Sequence, residues 1–101
     1  VKLRWTRRAR RDLLEIGHYI ARDKPMAARR WVERLRRRAR DAAALPQTGR
    51  VVSEIGREDV REVFVNTYRI VYRICEEEIH VLTVFEGHQL LPQGVVDELE
   101  P

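Results

Sequence analysis

The sequence predicts an α+β fold with the order β-α-α-β-β-β, an antiparallel helix hairpin packed on one face of a small, mostly antiparallel sheet. Three observations carry this. Apolar residues recur at helical spacing in the first half, they alternate with period two in the second half, and the breaks between segments are short. The chain has 101 residues, 44% of them hydrophobic and 36% charged. That length suits one domain, expected over residues 1–92, with 93–101 as a C-terminal tail.

Val1 to Trp5 alternate, with Val1, Leu3 and Trp5 on one side, which predicts a short half-buried strand. Thr6 fits a helix N-cap, since its hydroxyl can accept from a free amide of the first turn. Ala9, Leu13, Ile16 and Ile20 then form the apolar stripe of a helix over about 7–22. Asp23-Lys24-Pro25 breaks it, and proline suits the first turn of a new helix because its missing N–H has no partner to lose there. The second helix is expected over about 25–43, with Ala28, Trp31, Val32, Leu35, Ala39 and Ala42 facing inward. The short linker folds the two helices back on each other.

Pro46 and Gly49 end the helical region, and residues 46–60 read as a loop with a short extended piece at Val51-Val52. Arg61 to Val65 and Tyr68 to Cys75 are strands joined by the tight turn Asn66-Thr67. In the second of them Tyr68, Ile70, Tyr72 and Ile74 share one face, and Arg69, Val71, Arg73 and Cys75 the other. Glu76-Glu77-Glu78 is a charged turn, Ile79 to Glu86 the next strand, and Gly87 its end. The last three strands form a meander. The helices cover one face of the sheet, and the second face is expected to be open, with Arg69 and Arg73 projecting from it. In the tail, Val95, Val96 and Leu99 match one helical turn laid against a partner. Tyr19 and Tyr72 are expected as core residues with their hydroxyls reaching the edge, and Trp5 and Trp31 as core or rim packing.

The composition excludes several function classes. No apolar run is long enough for a membrane span or a signal peptide, and one cysteine makes neither an internal disulfide nor a zinc cluster. A soluble protein of a reducing, cytoplasmic compartment is expected, with no metal and no cofactor. The five glycines form no phosphate-binding loop. The first residue is Val1, not Met, so the native start is left open. Charge is unevenly divided. Residues 1–50 carry sixteen Lys or Arg against five Asp or Glu, whereas residues 51–101 carry four against eleven. The basic half suits an acidic partner, either nucleic acid or an acidic protein segment. A plain basic nucleic-acid-binding module is one reading of that half.

Metal-free RNA cleavage needs a base near the 2′-hydroxyl, cations around the phosphate and an acid at the leaving oxygen. Candidates are Glu86 or His88 for proton transfer and Arg57, Arg61, Arg69 and Arg73 for the phosphate. The structural alternative pairs Arg61, Arg69 and Arg73 with neighbouring carboxylates such as Glu62 and Glu76. Cys75 reads as a small packed side chain.

The stretches Tyr68-Arg69-Ile70-Val71-Tyr72-Arg73-Ile74, Ile79-His80-Val81-Leu82-Thr83-Val84 and Gly87-His88-Gln89-Leu90-Leu91-Pro92 resemble the C-terminal half of ParE toxins. These belong to the ParE/RelE superfamily of bacterial type II toxin–antitoxin systems. Trp5-Thr6, Ala9, Asp12-Leu13, Ile16, Tyr19-Ile20, Pro25, Ala28, Trp31, Leu35, Pro46, Gly49-Arg50 and Arg61-Glu62 extend the resemblance over roughly residues 1–92. It implies the RelE/ParE-like fold and a cognate ParD-like antitoxin, whose flexible C-terminal segment wraps the toxin and whose N-terminal part binds operator DNA. Arg29, Arg30, Arg34, Arg37, Arg38 and Trp31 are the antitoxin-binding candidates. ParE-type members poison DNA gyrase by contact, and RelE-type members cleave messenger RNA on the ribosome. Arg61, Arg69 and His88 are the target-binding candidates of the first kind. Arg61, Arg69, Arg73, Glu86 and His88 are the catalytic candidates of the second. Glu86 stands where that branch often has His, His88 and Gln89 stand where ParE-like sequences often have Arg, and no Tyr or Arg follows Pro92. The incomplete nuclease set points to the ParE branch.

Overall fold

A computed structural model describes residues 1–99. Its elements are β1 (Lys2–Trp5), α1 (Arg7–Ala21), α2 (Pro25–Ala44), a single 3-10 turn at Pro46–Thr48, β2 (Arg50–Val51), β3 (Val60–Val65), β4 (Tyr68–Ile74), β5 (Glu78–Glu86) and α3 (Gln93–Leu99). The strands form one sheet in the order β1-β5-β4-β3-β2. β1 runs parallel to β5, and the other pairings are antiparallel. The expected order of strands and helices is the one observed.

Local chemistry places the ends as the sequence predicts. Thr6 Oγ1 accepts from the Ala9 amide at 3.2 Å and starts α1, a cap worth about 1 kcal/mol. Pro25 opens α2. Asn66 takes φ = 51° in the two-residue turn between β3 and β4, a conformation asparagine tolerates better than most residues. At Gly49 a Cβ would collide with the Tyr72 hydroxyl and stand 3.0 Å from the Glu62 carbonyl. The bare backbone there lets Tyr72 donate to the Pro46 carbonyl at 2.6 Å and remain fully buried.

The main core lies between the helix hairpin and one face of the sheet. Leu13, Leu35, Ala39 and Ala42 pack there on Val63, Ile70, Tyr72, Ile79 and Val81. β1 is only four residues long, so the outer edge of β5 beyond Val81 has no strand beside it. α1 covers that edge. The Thr6 hydroxyl donates to the Val81 carbonyl at 2.8 Å. Asp12 Oδ2 accepts from the Thr83 hydroxyl at 2.6 Å and from the Val84 amide at 3.1 Å. A carboxylate thus blocks an exposed ladder that would otherwise invite edge pairing.

The second face differs from expectation. Val71 pairs with Thr83 while Tyr72 pairs with Val81, which makes Leu82 the extra residue of a β-bulge. Leu82 joins Val52, Val60, Val71 and Phe85 in a second cluster, closed by Val95 of α3 with Leu91, Leu99 and Ile55 packed around it. The face expected to be open is therefore covered, and the segment 93–99 expected as a tail is a docked helix. Its apolar positions meet this chain's own sheet instead of a partner, because an uncovered Val71-Leu82-Phe85 surface would cost about 25 cal/mol for each Å² left in water. Residues 100 and 101 of the expected tail lie outside the described residues. The extended piece expected at Val51-Val52 falls one residue earlier, where Arg50 and Val51 pair with Glu62 and Arg61.

Candidate functional site

The catalytic candidates do not converge, and of the target-binding candidates Arg61 and Arg69 have their guanidiniums held by groups of the fold, which leaves His88 as the exposed one. Arg69 was expected to project into solvent, yet it is 8% exposed and Glu62 2%. Arg69 Nε donates to Glu62 Oε1 at 2.6 Å, while its two terminal nitrogens donate to the Glu54 carboxylate at 2.8 and 3.0 Å. Its guanidinium also lies 4.9 Å over the Phe85 ring. Arg50 Nε donates to the other Glu62 oxygen at 2.8 Å. The four side chains form a charge-balanced chain that ties residues 52–56 to the sheet. Arg61 donates to the carbonyls of Glu58 and Gly49 at 2.8 and 3.0 Å, so it anchors the loop's two ends. Arg73 turns to Asp59 at 3.3 Å, not to Glu76. Arg57 grips Asp59 through two bonds and donates to the Leu99 carbonyl at 3.0 Å, which fastens the end of α3 to the same loop. Glu86 and His88 do meet, with Nδ1 2.7 Å from Glu86 Oε1, and His88 is exposed. No arginine or lysine forms a salt bridge with Glu86 among the described residues.

The Arg69 guanidinium, by hydrogen bonding, holds the Glu54 carboxyl down to about 2, against 4.5 for a free side chain. A depressed folded-state value stabilises the fold above the unfolded value, and that stability is lost as pH falls through the folded one. Acid titration is therefore expected to loosen residues 52–59 between about pH 4.5 and pH 2, seen as rising amide exchange there. Unchanged protection of that loop at pH 2 would contradict this linkage.

One further constellation was not foreseen. The β4–β5 turn brings Cys75 Sγ to 3.7 Å from His80 Nδ1, and His80 Nε2 lies 2.7 Å from Glu78 Oε1. Glu76 and Glu77 lie in the same turn.

The basic candidates do assemble. Arg34, Arg37 and Arg38 of α2 face Phe64 and Asn66 at the end of β3 across a cleft of about 330 Å³. Arg38 Nε donates to the Phe64 carbonyl and Arg34 to the Asn66 side chain, each at 3.4 Å. Arg50 stacks 4.8 Å over the partly exposed Phe64 ring. Arg30 is exposed on the same side of α2 one turn earlier, whereas Arg29, also exposed, lines a different groove, with Gly17 of α1 and Val32 and Glu33 of α2. Trp31 is half-buried against the core; its ring meets Tyr68 edge-on at 5.7 Å and carries the Arg34 guanidinium at 4.7 Å. On α2, only Arg40 has a carboxylate partner among the described residues, Glu33 at 2.7 Å.

Beyond the Trp31–Tyr68 pair lies a second concavity, about 510 Å³, between α1 and the β4–β5 pair. Ile16, Tyr19, Tyr68 and Pro92 line it, with Asp12, Glu15 and Glu86 among its walls. Tyr19, expected in the core, is 69% exposed at its rim. Burial, with Glu86 and Tyr19 nearby, raises the Tyr68 hydroxyl above its ordinary value. The helical spacing of Asp12, Glu15 and Tyr19 was available as a signal, but only the packing shows that strand residues complete this groove.

A helix hairpin on a mixed five-stranded sheet is the architecture of small toxins of type II toxin–antitoxin systems. A chain of the chromosomal ParDE TA system from P. aeruginosa has the same fold, with a TM-score of 0.72 over 85% of this chain and 95% of that one at 24% identity. The family model described as "ParE toxin of type II toxin-antitoxin system, parDE" matches residues 3–91, and the chain belongs to that toxin family. It is 41% identical to the protein named "Putative toxin Y4kP" of Sinorhizobium fredii, over 91% of this chain and 94% of that protein. It is 35% identical to Toxin RelE2 of Caulobacter vibrioides, over 85% of this chain and 94% of that one. No helix among the described residues is long and apolar enough to cross a membrane.

Proposed function

We propose that this toxin acts by protein contact on a type II topoisomerase, DNA gyrase, without hydrolytic chemistry of its own, and that a cognate ParD-like antitoxin neutralises it. The observation that carries the proposal is Arg69: the guanidinium best placed in sequence to meet a phosphate has its donors occupied by Glu54 and Glu62. Arg61 and Arg73 are likewise held by groups of the fold. Cations without a carboxylate partner stand instead on α2, where Arg34, Arg37 and Arg38 line a cleft with Phe64, Arg34 covers Trp31, and Arg30 is exposed one turn earlier. An acidic segment with an apolar anchor suits that surface, its carboxylates meeting the arginines. Operator DNA is reached through the antitoxin.

Gyrase supercoiling with purified toxin tests the reading. Inhibition or trapped cleaved DNA at micromolar toxin is expected. An unaffected gyrase, with messenger RNA cut in a translation extract, would overturn it.

A ribosome-dependent endoribonuclease is the second reading, favoured by the likeness to a protein named RelE2 and by the Glu86–His88 contact. There the hydrogen bonds from His88 outweigh burial, which alone would raise the Glu86 carboxyl, and lower it. His88→Ala separates the readings. It would abolish activity in a nuclease, whereas most single contacts of a protein interface cost less than about 1 kcal/mol on truncation, so a gyrase poison is expected to be weakened by no more than about tenfold.

A further inference from the structure

We infer that the groove between α1 and the β4–β5 pair is a receptor for a basic side chain, an arginine or lysine, of the antitoxin segment. The inference rests on the antitoxin reading above. It reverses the chemistry that the basic surface alone suggests, since an acidic stretch of the segment must adjoin a positive charge.

The groove is built for a cation with an apolar stem. Ile16, Pro92 and the rings of Tyr19 and Tyr68 supply apolar and aromatic wall, and Glu15 and Glu86 supply negative charge. Neither carboxylate has an arginine or lysine partner among the described residues, although the chain carries 20 such residues and a formal net charge of +4; Glu86 is met by His88, through Nδ1 at 2.7 Å and the backbone amide at 3.1 Å, and Glu15 has no ion-pair partner among them. A guanidinium or ammonium between phenol rings gains attraction to the ring faces, and its methylene stem covers apolar wall. Two large side chains stand uncovered around the groove. Tyr19 is 69% exposed, and Leu90, next to the lining residue Gln89, is 91% exposed. Such exposure is ordinary for one residue but becomes informative where several flank a concavity.

Continuity with the basic cleft identifies the occupant. Arg34 lines that cleft and covers Trp31; the Trp31 ring meets Tyr68; and Tyr68 lines the groove. Trp31 and Tyr68 are therefore the ridge between two adjoining depressions of opposite charge. One extended segment crossing the ridge engages both, with carboxylates over Arg34, Arg37 and Arg38 and its basic side chain beside Glu15 and Glu86. The alternation also fixes which part of the segment lies in which depression, because exchanging them sets like charges against each other.

The test measures binding of the full-length toxin to the protein of the adjoining reading frame. The Glu15→Gln/Glu86→Gln double variant is expected to bind it about tenfold or more weakly, chiefly through faster dissociation. Tyr19→Ala, at an exposed site where folding is not at stake, is expected to weaken binding in the same way. Replacing the antitoxin's basic residues singly by Met is expected to reveal one whose effect vanishes in the Glu15→Gln/Glu86→Gln background. Unchanged affinity in that variant and in Tyr19→Ala, with binding weakened by Arg34→Ala/Arg38→Ala, overturns the inference and leaves the antitoxin reading intact. Affinity unchanged in all of these variants overturns the placement of the antitoxin as well. Spermidine bound at the groove, with antitoxin affinity unaltered, makes it a small-cation site and also overturns the inference.

Discussion

Arg69→Ala is expected to destabilise the protein by about 3–5 kcal/mol, lowering its melting temperature by roughly 12 °C or more. The change removes the one cation that touches both Glu54 and Glu62. Glu54 returns to solvent at little cost, since its side chain is 41% exposed. Glu62 cannot, because it is 2% exposed and lies beneath the sheet's second layer. It keeps Arg50 at 2.8 Å, which places the expected loss toward the lower end of that range. Arg69→Met combined with Glu62→Gln removes both charges and retains apolar volume, so it is expected to recover much of the loss. Thermal or urea denaturation of the single and double variants checks this. A single variant as stable as the parent would show that the buried pair contributes nothing. Loss of toxicity in Arg69→Ala therefore reports on folding first, and His88→Ala, on an exposed side chain, is the sharper probe of chemistry.

Val95→Asp is expected to cost about 3 kcal/mol or more, since it removes roughly 2 kcal/mol of apolar burial and places a carboxylate among Val52, Val60, Val71, Leu82 and Phe85. The loss is limited by an escape route. α3 is seven residues long, so it can leave the sheet before the carboxylate bears its full desolvation cost. Undocking would break the Arg57 bond to the Leu99 carbonyl and the Arg8–Glu98 contact at 3.4 Å. The variant is expected to bind a hydrophobic dye and to lose amide protection over residues 52–60, while Asp97→Ala, at an exposed position of the same helix, stays within about 0.5 kcal/mol of the parent. A Val95→Asp protein with parental stability and no dye binding would mean that the helix does not seal the second face.

The helices and meander were legible because each has one apolar face with the period of its backbone. Leu13, Leu35, Ala39 and Ala42 on one side and Ile70, Tyr72 and Val81 on the other could bury those faces only against each other. Thr6, Pro25 and Asn66-Thr67 mark their own boundaries by local hydrogen bonding and φ preference. The spacing of Tyr19 fits the apolar stripe of α1, yet the residue stands at the rim of the groove that α1 forms with the β4–β5 pair, 69% exposed. The covering of the second face was equally hidden. Val95 and Leu99 show helical spacing, but nothing local distinguishes a helix that waits for another protein from one that folds onto its own sheet.

Period, capping and turn chemistry are properties of a few neighbouring residues, and for this chain they determined the order of strands and helices and the basic character of α2. Which charges remain free was decided only in three dimensions. Arg69, Glu62 and Glu54 are separated by 7 to 15 positions in the chain and meet at hydrogen-bond distance. The pairing of a charge depends on distance through space, and here the β3–β4 register, which sets Glu62 opposite Val71 two residues from Arg69, and the loop that carries Glu54 set that distance.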